Sequence, residues 1–214
     1  PNGPRALLVF GSNPVVSAPN AAHTTERLSS LDLLVVADFV PSETAQLADV
    51  VLPVTQWAEE EGTMTNLEGR VLRRRRLRVP PGHARSDLEV LHDLAVRLGE
   101  PGHRYPTGPR EVFDELRRAS AGGRADYAGI SYERLDAGEA LHWPCPDTAH
   151  PGTPRLFLDS FAHPDGRARF APVEHREPAE TPRAAFPLTA TTGRVLAQYQ
   201  SGAQTRRVEE LNEA

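Results

Sequence analysis

The stretch Leu33–Pro53, "LLVVADFVPSETAQLADVVLP", decides how this chain must fold. It contains two apolar runs, one closed by Asp38 and the other by Pro53, with the polar segment "PSETAQLAD" between them. An unbroken apolar run, without the alternation of a half-exposed strand, marks a strand covered on both faces. Ser42 is a candidate N-cap with Ala, Gln and Leu behind it, so the polar segment is expected to form a short helix. Strand, short helix, strand is half of a parallel sheet. It leaves open what a carboxylate at the end of a buried strand is facing.

The neighbouring segments extend the pattern. "RALLVFGSNP" (Arg5 to Pro14) reads as another buried strand ending in a turn, and residues 15–30 hold a short helix. "VVLPVT" is the third strand, so the order is that of right-handed βαβ units. From Glu59 the glycine-punctuated "EEEGTMTNLEGRVLRRRRLRVPPG" suggests a hairpin or extended arm. Ser86 to Gly99 is an amphipathic helix with Leu88, Leu91, Leu94, Ala95 and Leu98 on one face and Gly99 as its C-cap. A further helix starts near Pro109, with Val112, Phe113 and Leu116 apolar. Residues 120–180 are expected to be mostly loops, and Phe186 to Gly202 to open a strand that runs into a polar loop.

Composition removes several classes. The net charge is -5, which gives no argument for nucleic acid or an anionic membrane. The basic run "RRRRLR" (Arg73 to Arg78) lacks interleaved aromatics and reads as a solvated arm pairing with nearby Glu. One cysteine excludes an internal disulfide and an all-cysteine metal site within this chain. Neither HExxH nor CxxC spacing occurs, so no residue is assigned to a metal. No apolar stretch approaches the roughly 20 residues of a membrane span. No signal peptide opens the chain, and a cytoplasmic protein is expected. The chain begins at Pro1, its sole Met is Met64, and it stops at "VEELNEA" just after a motif-like stretch opens, so it is expected to be a fragment of a longer protein.

Four places carry candidate chemistry. Asp38 sits where ligands collect in doubly wound sheets, at the carboxyl ends of the strands, and can accept from ribose hydroxyls or a base N–H. A turn or helix cap explains it equally well. Gly11, Ser12 and Asn13 occupy the first strand-to-helix turn, where exposed amides suit a phosphate, although four turn-forming residues also make a plain turn. Asp87 lies at a helix start, where capping is sufficient by itself; otherwise it can accept the N1–H and exocyclic amine of guanine. "TTGRVLAQYQSG" (Thr191 to Gly202) packs hydroxyls, amides and an arginine as a loop around a phosphorylated ligand would.

In their order along the chain, "GSNP", "VVADFVPSETAQLADVVLP", "WAEEEGTMTNLEGRV", "PPGHARSDLEVLHDLAVRLG", "WPCPDT…HPGTPRLF" and "TTGRVLAQYQSGAQTRRV" resemble the molybdopterin oxidoreductases, in particular the assimilatory nitrate reductase and formate dehydrogenase branch. The resemblance implies an α/β fold: a Rossmann-like parallel sheet domain over 1–135 that grips a molybdopterin guanine dinucleotide, a loop-rich connection over 136–182, and over 183–214 the start of a double-psi β-barrel. It implies that Gly11, Ser12 and Asn13 approach the dinucleotide, that Ala37 and Asp38 meet its ribose or base, and that Asp87 takes the guanine edge. Thr192, Gly193, Arg194, Gln198, Tyr199, Gln200 and Ser201 would form a second cofactor loop.

Glu60 departs from the Lys that some members of the family carry in this stretch, and it is given no contact. The cofactor implied is bis-molybdopterin guanine dinucleotide, with a 4Fe-4S cluster and the molybdenum ligand expected in an N-terminal part outside this sequence. No catalytic residue is expected within the chain, and the fragment alone is expected to be inactive.

"QYQSGAQTRR" and "HPGTPRLF" resemble the nitrate reductase form, implying nitrate as substrate and an electron-donor protein or reductase domain as partner. Two other readings are a formate dehydrogenase fragment and a non-catalytic nucleotide-binding accessory module. A simple NAD-linked dehydrogenase domain is a third, opposed by the missing GxGxxG after the first strand.

Overall fold

The computed structural model describes residues 3–213. The chain divides between Leu156 and Phe157 into two compact units. In the first, β1 (Ala6–Phe10), β2 (Leu33–Asp38) and β3 (Val50–Pro53) form a parallel sheet in the order β1-β2-β3. The register pairs Leu8 with Val35 and Val35 with Val50, and ends with Asp38 opposite Pro53. Two helices, α1 (Pro14–Ser17) and α2 (Ala21–Ser29), connect β1 to β2. Between β2 and β3 the expected helix shortens to a 3-10 turn at Ala45–Leu47, with Ser42 Oγ accepting from the Ala45 amide at 3.3 Å.

The sheet is covered unequally. Leu34, Val36 and Val9 pack with Leu28 and Ala45 on one face. On the other, Ala37 packs with Val54 and Val90, joined by Phe10 and Leu52. Leu8, Leu33 and Val50 stay exposed, and the register puts them on the same side as Ala37. Coverage on both faces therefore holds at the carboxyl end of the sheet and fails at its amino end.

Beyond β3, β4 (Gly62–Thr65) and β5 (Val71–Arg74) form the expected hairpin as an antiparallel pair. Its turn is closed by Asn66 Oδ1, which accepts from the amides of Glu68 and Arg70 at 3.0 and 2.9 Å. The two long helices are α3 (Asp87–Arg97) and α4 (Pro109–Ser120), and α5 (Tyr132–Asp136) adds a helical turn within a stretch expected to be mostly loop. Val71, Phe113, Ile130, Tyr132, Leu135, Leu141 and Cys145 form a second core.

The arginine run does pair with local carboxylates: Arg73 with Glu61 at 3.0 Å, Arg74 with Glu60 at 3.4 Å and Arg75 with Asp136 at 3.0 Å. Arg73 is not solvated, however. Its guanidinium lies 4.1 Å from the centre of the Tyr132 ring, and its side chain is only 13% exposed.

In the second unit, α6 (Glu209–Asn212) follows a 3-10 turn at Thr205–Arg207. No strand forms there among the described residues, so neither the strand expected from Phe186 nor the start of a double-psi barrel is present. Arg183 and Phe186 bridge only to each other, and Leu188 and Leu196 are exposed. A strand needs a neighbour for its amides and carbonyls and a buried face for its apolar side chains, and this segment has neither.

One side chain ties the first sheet turn together. Asn13 Nδ2 donates to Glu43 at 2.7 Å, while its Oδ1 accepts from the Thr44 amide at 3.2 Å and the Thr44 hydroxyl at 2.7 Å. Thr44 is fully buried, so removing that acceptor strands two donors away from water. Asn13→Ala is expected to lower stability by about 2–3 kcal/mol. Urea unfolding should show a lower midpoint at unchanged slope.

Candidate functional site

Parallel strands all release the chain at one edge, and the backbone hydrogen bonds fix who stands there. The Gly11 amide donates to the Ala37 carbonyl at 3.0 Å, and the Val54 amide to the Asp38 carbonyl at 3.2 Å. The Arg85 amide donates to Pro53 at 3.2 Å and the Thr55 amide to Arg85 at 3.0 Å, adding a short fourth pairing in parallel. Gly11, Asp38, Thr55 and Asp87 thus stand at or just past the ends of consecutive strands. Four neighbouring strands span about 14 Å at the usual spacing of about 4.8 Å.

The candidates differ in what they have left to offer. Gly11 has φ +53°, and a Cβ there would meet nothing within 4 Å, so its surface is open. Ser12 is exposed, whereas the Asn13 side chain is spent on Thr44 and Glu43. Ala37 is buried and its carbonyl serves Gly11. Asp38 is buried, with Oδ1 accepting from the Phe39 amide at 2.8 Å, the local turn bond that the plain reading anticipates.

Asp87 behaves otherwise. Its helix is capped by a neighbour: Ser86 Oγ accepts from the Glu89 amide at 3.3 Å, and Glu89 returns a bond to the Ser86 amide at 2.8 Å. This reciprocal capping box leaves Asp87 with no capping duty. Its Oδ1 is sealed from solvent without any hydrogen-bond partner, the only carboxylate oxygen so placed among the described residues. Burial pushes the Asp87 carboxyl above the usual aspartate range, and the negative charge of Glu60 pushes it the same way.

Asp87 lines a cavity of about 520 Å³ bounded by the sheet edge at Thr55, the hairpin at Glu60, Gly62 and Arg74, and the first turn of α4 at Pro109. Such a volume suits a small organic ligand. Thr55 hydrogen-bonds Glu60 through its hydroxyl, and Arg74 pairs with the other Glu60 oxygen at 3.4 Å. Sequence reasoning assigned no ligand contact to Thr55, Glu60 or Arg74, although it expected the arginine run to pair with nearby Glu. A signal for Thr55 was present, because it stands just past the third strand, near where Gly11 follows the first and Asp38 ends the second; the other pair belongs to the arginine run expected to meet nearby Glu.

The second candidate group lies in the second unit. Thr192, Gly193 and Arg194 are exposed, as are Tyr199 and Gln200, and Ser201 is half-buried. Gln198 is engaged, with Oε1 accepting from Thr205 at 2.7 Å and Nε2 donating to the Leu211 carbonyl at 3.0 Å. Gln200 adopts a positive φ of 51°, which tightens the turn into Gly202.

Comparison with known proteins gives concordant results. Residues 1–97 match the family described as molybdopterin oxidoreductase. The chain is 48% identical over 205 residues to the assimilatory nitrate reductase catalytic subunit of Bacillus subtilis, covering 95% of this chain and 29% of that protein. It is 43% identical to the F420-dependent formate dehydrogenase subunit alpha of Methanocaldococcus jannaschii, covering 97% of this chain and 31% of that one. Acetylene hydratase from Pelobacter acetylenicus superimposes with a TM-score of 0.51 at 25% identity, over 62% of this chain and 18% of its own. The chain thus spans less than a third of the length of these curated relatives.

The raised proton affinity of Asp87 has a stability consequence with a definite sign. The folded state binds the proton more tightly than the unfolded state, so ionised Asp87 lowers stability at neutral pH, and that penalty lifts as pH falls through the folded-state value. Asp87→Asn is therefore expected to melt higher than the parent chain at pH 7, with the gap closing toward pH 4. Melting curves at the two pH values test this; an equal gap at both would contradict it.

Proposed function

We propose that this chain, a member of the molybdopterin oxidoreductase family through its residues 1–97, is the nucleotide-gripping part of a molybdenum-dependent nitrate reductase. The observation that carries the reading is Asp87, which is released from capping duty, lines a cavity at the carboxyl edge of a parallel sheet and keeps its Oδ1 without a hydrogen-bond partner. Leaving a carboxylate oxygen unpaired is costly, and a ligand presenting adjacent N–H groups relieves that cost.

The residues fit the guanine end of a molybdopterin guanine dinucleotide. With its carboxyl turned so that the sealed Oδ1 comes round to the ligand, Asp87 supplies a bidentate acceptor for N1–H and the exocyclic amine, which is the donor edge that distinguishes guanine. Asp38 closes β2, two segments away along the same edge, with one oxygen free of the turn bond, suited to a ribose hydroxyl. The open backbone at Gly11 lets a phosphate approach closely. Thr192, Gly193, Arg194, Gln198, Tyr199, Gln200 and Ser201 are assigned to a second loop on the cofactor, and the α/β part, the connection and the last segment keep the extents 1–135, 136–182 and 183–214 in this reading.

When bound, the molybdenum–pterin group supplies the two-electron chemistry that converts nitrate to nitrite. The part of this chain is to bind and orient the nucleotide tail. Cys145, its one cysteine, is buried in the second core, so the reading assigns the 4Fe-4S cluster to other residues of a longer protein, of which this chain is a fragment. It also includes a cytoplasmic location and an electron-donor protein or reductase domain; no described helix is long and apolar enough to cross a membrane.

Formate dehydrogenase is the second reading, favoured by the 43% identity to the M. jannaschii subunit. The closing motif "QYQSGAQTRR" supports nitrate over it. The intact enzyme, supplied with a chemically reduced viologen, is expected to consume nitrate and release nitrite; dye reduction by formate instead would select the alternative.

The nucleotide reading is tested on the chain itself. Calorimetric titration is expected to detect GDP binding and no NAD binding. Asp87→Asn should weaken GDP binding about tenfold to a hundredfold, the value of a charge-assisted hydrogen-bond pair. NAD binding in preference to GDP would return the chain to the dinucleotide dehydrogenases.

A further inference from the structure

We propose that Glu60 is a second specificity-determining carboxylate of the base pocket, accepting the N–H of the guanine amine that Asp87 leaves over. The inference rests on the reading of that pocket as a guanine site. Glu60 and Asp87 line one cavity, and they are near enough for the charge of Glu60 to act on the Asp87 proton.

Glu60 is held from two sides. One oxygen accepts from the hydroxyl of Thr55, which follows β3, and the other pairs at 3.4 Å with Arg74 at the end of β5. Each carboxylate oxygen has room for two donors, so each retains an acceptor position after these contacts. The side chain is therefore aimed before any ligand arrives, and little conformational freedom is lost on binding.

The charge balance of the pocket points to the same ligand edge. Its lining includes five carboxylates against the guanidiniums of Arg74 and Arg76. Without a ligand, Glu60 and Asp87 repel one another. A row of N–H donors is what such a pair lacks. Guanine presents three, one on N1 and two on the exocyclic amine, whereas hypoxanthine keeps the N1–H alone and adenine presents an acceptor at N1. Asp87 takes N1–H and the nearer amine hydrogen, and Glu60 takes the other. Adjacent phosphates are disfavoured in so acidic a pocket, which fits a base-reading role.

The test is calorimetric titration of the full 214-residue chain with guanosine and with inosine, whose base is hypoxanthine, at neutral pH. The parent chain is expected to prefer guanosine at least about tenfold, consistent with the loss of charge-assisted hydrogen bonds. In Glu60→Gln that preference should shrink about fivefold, with inosine affinity within about twofold of the parent. Thr55→Val, which removes the hydroxyl that aims Glu60, should shrink it about twofold and serves as the independent variant if Glu60→Gln does not fold. If Asp87→Asn weakens guanosine while both other variants keep the parent preference, Glu60 has no part in recognition and the guanine site stands. If guanosine fails to bind the parent chain, or binds Asp87→Asn equally well, the guanine reading falls and the role of Glu60 falls with it.

Discussion

Every feature of the candidate site depends on strands that run in parallel and so discharge the chain at a common edge. Backbone hydrogen bonds from Gly11 to Ala37, from Val54 to Asp38 and from Arg85 to Pro53 impose this on four segments far apart in sequence. Had β2 and β3 been joined as a hairpin, Asp38 and Thr55 would lie at opposite ends of the sheet. The parallel register instead lines up a glycine, an aspartate, a threonine and a helix start. Each is a residue type that can meet a polar ligand without a change of backbone.

The start of α3 divides two tasks that sequence reading assigned to one residue. Ser86 and Glu89 satisfy the free amides of the first turn, and Asp87 between them faces the cavity. A carboxylate at the first position of a helix is stabilised by the helix dipole, yet burial and Glu60 outweigh this and raise its proton affinity. Asn13 shows the reverse: it is buried and polar, but its acceptor and donor are both spent on the segment beside it.

The β5 side of the cavity is tied to the second core. Arg73 on β5 stacks on Tyr132, whose ring also faces Arg110 at 5.0 Å, and Arg73 pairs with Glu61 and Asp136. This fixes β5, and with it the neighbouring Arg74 that holds Glu60. An arginine run whose charges suggested a solvated arm is thus partly a packing device, with the aromatic face it needs supplied by a distant helix.

Much of the fold was legible in residues close together in the chain. The apolar runs of Leu33–Pro53 named their strands, Ser86 named the start of α3, Pro109 that of α4, and the glycines at 62 and 69 the hairpin. Each of these depends on neighbours within a few positions, so local chemistry is enough. The order Gly11, Asp38, Asp87 along a sheet edge was also within reach, because parallel topology follows from strand spacing. Strand formation from Phe186 was not decided locally, since an extended segment forms a strand only where another chain segment accepts its hydrogen bonds. Nor could the sequence separate Asp87 from an ordinary helix cap, bring Thr55 to Glu60 or single out Glu60 as the partner of Arg74. Those outcomes depend on which atoms are shut away from water and which charges face each other once they are, and only the packed tertiary structure determines both.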